Sequence, residues 1–303
     1  MKIGVVFPQI DIGNDPQAIR DYAQAVEAMG YTHILAYDHV LGANRERYRD
    51  LTGPYGHRDA FHEPFVLFGF LAAATQRVGL ATGILILPQR QTALVAKQAA
   101  AVDVLSGGRL RLGVAVGWNY VEYGALGEDF HTRGKRIEEQ IEVLRALWTK
   151  ELATIEGREH RIADAGVNPL PIQRPIPIWM GGGYKSNVSP TERASGIVEP
   201  ALRRIAKLAD GWFTHVQPGD EGAAGIARFR ELVRETGRDP KSVGLEGRVN
   251  AFRVAPEEWP REIEWWRRMD ATHIEMNTMN AKFGSLDEHL AALGRFAGMV
   301  RAG

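Results

Sequence analysis

Cysteine is absent from the 303 residues. That excludes disulfides, thiolate nucleophiles and cysteine-ligated metals. Net charge is absent too: 37 Lys and Arg are matched by 37 Asp and Glu, so the electrostatic footprint of a general nucleic-acid binder is missing. No apolar run reaches the ~20 residues a bilayer span needs; the longest is "FVLFGFLAAA", Phe65 to Ala74. The opening "MKIGVVFPQ" has one Lys and an apolar run too short for a signal peptide. A soluble cytoplasmic protein without membrane or nucleic-acid partners is the expectation. Hydrophobic residues make up 45%, enough for a sizeable core.

Several motifs are missing as well. The stretch "PIWMGGGYKSN" runs a short apolar segment into Gly181, Gly182 and Gly183. It is not a P-loop, because Tyr184 separates the glycines from Lys185 and no earlier glycine stands at the required spacing. The dinucleotide fingerprint G-x-G-x-x-G is absent. Of nine His, none forms H-x-H or H-E-x-x-H. Asp38 and His39 are the one acid–His pair at a strand end, and adjacent strand residues point to opposite faces, which makes a poor chelate. No metal site is expected. A glycosidase needs two carboxylates across a cleft; Asp38 and Glu122 are the candidates, but Glu122 lies well into a loop.

What is present is alternation. "KIGVVF", "HILAY", "VGLATGILIL", "RLRLGVAV", "PIPIWM", "GWFTHV", "VGLEGRVN" and "THIEMN" read as strands, each followed by a helical segment. The first helix shows why: Asp15 suits the N-cap, Pro16 the first turn and Gly30 the stop, while Ile19, Tyr22, Ala23, Val26 and Met29 recur at helical spacing. "ATIEGREHRIAD" reads as a small hairpin turning at Gly157, outside the alternation. Eight βα units within one domain, residues 1–303, predict a (β/α)8 TIM barrel with insertions. A doubly wound sheet is the alternative, but the first strand ends in "FPQIDIG" without a glycine fingerprint. In a barrel, chemistry gathers at the C-terminal strand ends. There the sequence places glycines, amides and aromatic side chains, which suit a flat, phosphate-bearing heterocycle.

Those strand ends carry a resemblance. "AYDHV", "ATGILILPQR", the block from Leu105 to Thr149, and "PIPIWMGGG" with "ALRRIAKLADGWF" resemble the luciferase-like monooxygenase superfamily, closest to its branch of coenzyme F420-dependent oxidoreductases. The resemblance covers nearly the whole chain and implies the same barrel fold. It implies catalytic roles for His39 and Asp38 near the reactive face of the ring. It implies a bulge at Thr82, Gly83 and Ile84, with a non-proline cis peptide at Gly83–Ile84, behind the ring. Gly117, Trp118 and Asn119 would contact the ring edge or ribityl chain, and Gly181 to Gly183 would hold the phosphate. The implied cofactor is F420, with FMN as the alternative, and the implied activity is hydride transfer to or from a small organic substrate. FMNH2-dependent oxygenation with O2 and a non-catalytic flavin-binding barrel are the other readings. A homodimer through the helices after the second and third strands is also implied.

One departure stands out. "YKSNVSPTERASGIVE", residues 184–199, intervenes before "PALRR", and Val198 stands where the family has a phosphate-binding Ser. Lys185, with Ser186, Asn187, Ser189, Thr191 and Arg193, is expected to take over the phosphate or form a lid. The loop from Asp38 to His62, with Tyr48, Tyr55, His57 and Phe61, is expected to roof the substrate pocket.

Overall fold

The structure, a computed structural model, describes residues 1–51, 53–185 and 196–302. Eight parallel strands close into a barrel: β1 (Lys2–Val6), β2 (His33–Ala36), β3 (Gly79–Thr82), β4 (Leu110–Ala115), β5 (Ile178–Gly181), β6 (Gly211–Phe213), β7 (Gly244–Asn250) and β8 (His273–Asn277). Pairing of β1 with β8 and of β3 with β4 completes the ring. After β3 the chain bends at Gly83 and resumes as Leu85–Ile86 alongside β4.

The helices cover the outside: α1 (Pro16–Ala28), α2 (Pro64–Ala74), α3 (Thr92–Ser106), α4 (Tyr120–Ala125), α5 (Arg133–Thr149), α6 (Glu199–Leu208), α7 (Asp220–Glu235), α8 (Trp259–Arg268) and α9 (Leu286–Ala302). Their ends obey local chemistry. The Asp15 side chain accepts from the Gln17 amide, so α1 starts where the sequence places its cap. Glu63 does the same for α2 through the Val66 amide. Helix α3 stops at Gly107, in the left-handed region at φ 71°. Helix α4 lies inside a segment whose sequence reads as loop; six residues are too few to show a helical period.

The main core lies between barrel and helices, around Tyr22, Phe68, Trp148, Trp212, Trp266 and Phe296. A second, smaller cluster fills the barrel with Val6, Leu35, Ala81, Trp179, Phe213 and Met279. Beneath it the interior is ionic rather than apolar. His33 Nε2 lies 2.6 Å from Glu246 Oε1, and Arg111 lies 2.8 Å from the same carboxylate. The Arg111 guanidinium sits 4.3 Å over the Trp179 ring, and Arg248 is paired with Glu275. Arg111 and His33 hold Glu246 down to about 2 against the opposing effect of its burial. Burial instead pushes Glu275 up to about 7. Burial also lowers His33, favouring the neutral ring.

The hairpin outside the alternation is present as Ala153–Glu156 paired antiparallel with Arg161–Ala165. The stem of the 184–199 insertion is a two-stranded antiparallel ladder, Tyr184–Lys185 against Gly196–Ile197. Tyr184 is buried against Gly225 of α7. Ser186, Asn187, Ser189, Thr191 and Arg193 lie outside the described residues. Among the described residues, no helix is long and apolar enough to cross a membrane.

Candidate active site at the barrel mouth

The ends of β2, β3, β4 and β5 meet on one side of the mouth. The Gly83–Ile84 peptide is cis, as the family resemblance implies. Gly83 packs so closely that a Cβ there would lie 2.1 Å from Leu35 Cδ2. Ile84 reaches across to Gly181, where an added Cβ would stand 2.8 Å from its Cγ2. Gly117, at φ 64°, packs in the same way against Ile86. These close approaches join β3, β4 and β5 at the level of the glycine triplet.

His39, just beyond β2, stands among aromatic rings. Its centroid is 4.8 Å from Phe61, 5.3 Å from Tyr55 and 5.6 Å from Trp118. Its Nδ1 lies 3.3 Å from Glu122 Oε1, which also accepts the backbone amides of Val40 (2.8 Å) and Leu41 (3.0 Å). Glu122 is fully buried on α4, and its Oε2 has no hydrogen-bond partner among the described residues. A carboxylate can only accept, so Nδ1 carries the hydrogen and Nε2 is left as the nitrogen that can exchange a proton. A cavity of about 300 Å³ opens beside it, lined among others by His39, Tyr55, His57, Asp59 and Phe61. The roofing role expected of the 38–62 loop thus falls to Tyr55, His57 and Phe61. Tyr48 turns instead to Tyr120.

Three of the expected site residues point into the protein. Asp38 is almost fully buried; its Oδ2 accepts from the Ile86 amide (3.0 Å) and its Oδ1 from Arg90 (2.7 Å). Arg90 also reaches Glu63 at 2.9 Å. The Asp38 carboxylate is thus engaged within the protein on both oxygens, where the expectation has it beside the reacting atoms. Thr82 is enclosed, its hydroxyl donating to Gly113 O at 2.6 Å and accepting from Gly113 N at 2.8 Å. Asn119 caps α4, accepting from the Val121 amide and donating to Leu41 O. Neither side chain is presented to a ligand. The glycosidase pair fails on the same ground: Asp38 and Glu122 are both buried and engaged.

At the triplet, Gly182 and Gly183 take φ of 104° and 76°, values that favour glycine. No atom of the described residues lies within 4 Å of where a Cβ of Gly182 would project. Its carbonyl accepts from Trp212 Nε1 (2.8 Å), and that of Gly183 accepts from the Val198 amide (2.9 Å). Helix α6 starts here with no side-chain cap from Val198. Glu199 in its first turn is neutralised by Arg228 at 2.6 Å and Arg203 at 2.8 Å. The Lys185 backbone pairs with Gly196.

Sequence reasoning missed Arg90, the partnership of Glu122 with His39, and the ionic barrel interior. His33, Glu246 and Glu275 place ligand atoms within 4.8 Å of one another. Arg111 and Arg248 already supply positive charge to that cluster, so a cation would meet two guanidinium groups.

The family model described as luciferase-like monooxygenase matches residues 1–253. An uncharacterized protein of Mycobacterium tuberculosis is 35% identical over 221 residues, 71% of each chain. An FMNH2-dependent dimethylsulfone monooxygenase of Pseudomonas putida is 32% identical over 240 residues, 78% of this chain and 57% of that one. An F420-dependent glucose-6-phosphate dehydrogenase of Intrasporangium calvum is 32% identical over 177 residues, 55% of this chain and 48% of its own. This chain therefore spans about half the length of those two enzymes. The structure of an F420-dependent tetrahydromethanopterin reductase of Methanopyrus kandleri superposes with a TM-score of 0.74 at 14% identity, covering 99% of this chain and 98% of that one. The chain belongs to the luciferase-like monooxygenase family.

Proposed function

We propose that this protein is an F420-dependent oxidoreductase acting on a small organic substrate, with His39 as its proton-exchanging residue. The observation that carries the reading is the His39–Glu122 pair within its aromatic enclosure, beside a cavity and the glycine-lined strand ends. Leu35, Ile86 and Ile84, packed tightly against Gly83, Gly117 and Gly181, fix the strand ends against which a flat ring would lie. In this reading Gly83, Ile84, Gly117 and Trp118 contact the ring, and Gly181 to Gly183 hold the phosphate with the start of α6. Lys185 stands at the edge of that phosphate region. The chemistry that the bound deazaflavin supplies is donation or acceptance of a hydride. His39 Nε2 then takes up or releases the matching proton, while Glu122 holds the imidazole with its hydrogen on Nδ1. Asp38 and Arg90 act one step back, fixing the chain after the Gly83–Ile84 bend.

A second reading, FMNH2-dependent oxygenation with O2, is favoured by the P. putida relative, which is similar over the larger share of this chain. Titration of the apoprotein with F420 and with FMN, followed by fluorescence quenching, tests the choice. Tighter binding of FMN would overturn the F420 reading; binding of neither would overturn both. His39→Gln should bind cofactor as the wild type does and lose turnover. Turnover retained in that variant would favour a barrel that needs no proton from His39. We further propose a homodimer through α2 and α3, which present the exposed apolar side chains Val66, Leu94 and Leu105; light scattering at micromolar concentration tests it.

A further inference from the structure

Arg248 has no part in the cofactor reading. It stands on β7, and the order of strands around the barrel puts β7 directly across from β3 and its Gly83–Ile84 bend. Residues 244, 246 and 248 alternate inward along this strand. Gly244 underlies Trp179, Glu246 meets His33, and Arg248 is the uppermost of the three. In register on β8, Glu275 accepts from Arg248 Nε.

The pair is asymmetric. The Glu275 side chain is 2% exposed, whereas that of Arg248 retains 22%. The carboxylate is enclosed, and the guanidinium keeps part of its surface. Nε is engaged by Glu275, and the guanidinium carbon lies 5.4 Å from the Tyr37 ring. The terminal nitrogens lie beside Tyr37, which also hydrogen-bonds the guanidinium, and the side chain keeps part of its surface exposed. Arg90, by contrast, is held between Asp38 and Glu63. Arg111 is sandwiched in the floor over Trp179 and Phe213. A guanidinium that keeps exposed N–H donors forms charge-assisted hydrogen bonds to a carboxylate, stronger than those to a neutral carbonyl. Tyr37 and Tyr55, with ring centroids 6.4 Å apart, flank the guanidinium with apolar surface.

We propose that Arg248 anchors the carboxylate of an organic acid substrate, whose apolar body lies against Tyr37 and Tyr55. This rests on reading the mouth as an oxidoreductase site and adds the substrate class. Glu275 supports the assignment by holding Arg248 through its Nε instead of leaving it free to fold away.

Benzoate and its neutral isostere benzamide, titrated into the full-length protein by NMR, test it. The wild type should bind benzoate at least about tenfold more tightly than benzamide, since each tenfold corresponds to about 1.4 kcal/mol and a charge-assisted pair exceeds that. Arg248→Met should abolish the preference. Because that change leaves Glu275 buried without its partner, Arg248→Met combined with Glu275→Gln provides the folded control, and it should also bind the two compounds equally. Arg248→Lys should keep an intermediate preference. Equal binding of benzoate and benzamide by the wild type, or a preference that survives in the double variant, would overturn the proposal. F420 and FMN titrations of the same proteins report the cofactor reading separately. Loss of cofactor affinity in the double variant with the benzoate preference intact would assign Arg248 to the cofactor and reject its substrate role.

Discussion

Replacing Asp38 by Ala removes the acceptor shared by two donors, the Ile86 amide and Arg90. The Ile86 amide, at 3.0 Å, loses its partner inside the barrel wall, and Arg90, at 2.7 Å, keeps only Glu63. An orphaned buried amide costs about 1–3 kcal/mol, and breaking a buried ion pair by removing one partner costs about 3–5 kcal/mol. The two losses share one carboxylate and Glu63 retains part of the Arg90 interaction, so a total of about 3–4 kcal/mol is expected. Asp38→Asn keeps an oxygen for the Ile86 amide but sets an NH2 donor against Arg90 in place of the charged acceptor, which should leave a cost of about 1–3 kcal/mol. Urea unfolding of the three proteins at one pH measures this as a shift of midpoint at unchanged slope. If Asp38→Ala were as stable as the wild type yet inactive, the positioning role would be wrong and Asp38 would belong with the reacting groups.

Glu122→Leu leaves the Val40 and Leu41 amides without an acceptor, so a loss of about 2–5 kcal/mol is expected in the same unfolding assay. In Glu122→Gln, whose amide oxygen can still accept from those amides and from His39 Nδ1, the loss should be smaller, and imidazole nitrogen chemical shifts should show the wild-type His39 tautomer, which Glu122→Leu should release. Gly83→Ala drives a Cβ to 2.1 Å from Leu35 Cδ2 and should cost about 1–3 kcal/mol by overpacking. Leu35→Ala in the same chain should recover part of that cost, and strictly additive losses would show that the two positions do not meet. Stability should also fall as pH rises from 5 to 8. Burial holds Glu275 up to about 7 in the folded chain against an ordinary 4.5. The native state therefore binds the extra proton, and its contribution, no more than about 3 kcal/mol, is complete below the ordinary value and lost as pH passes 7. Glu275→Gln should flatten that part of a melting-temperature profile. A slope unchanged in the variant would assign the dependence to another group. Glu246, held down to about 2, acts in the opposite sense and only in acid.

Local, repeating signals made the fold legible. Asp15, Pro16 and Gly30 bracket α1, and the βα alternation requires nothing beyond hydrophobic period and turn residues to count eight units. The glycines at the strand ends were equally readable, because close backbone approach leaves a trace in residue type. What stayed hidden depends on which distant side chains the barrel closure brings together. Asp38 and Arg90 are 52 positions apart, and His39 and Glu122 are 83 apart; no period links either pair. A carboxylate beside a histidine at a strand end looks the same in sequence whether it faces a ligand or a guanidinium. Only its hydrogen bonds distinguish a group poised for chemistry from one that holds the wall in place. The ionic interior shows the same limit. His33, Arg111, Glu246 and Arg248 each break the apolar run of a strand and read singly as strand-end or edge residues. Closure turns them onto one axis, where burial forces them to pair. That enforced pairing also fixes Arg248: Glu275, opposite it in register and two positions above the level of Glu246, accepts from its Nε and leaves the guanidinium partly exposed.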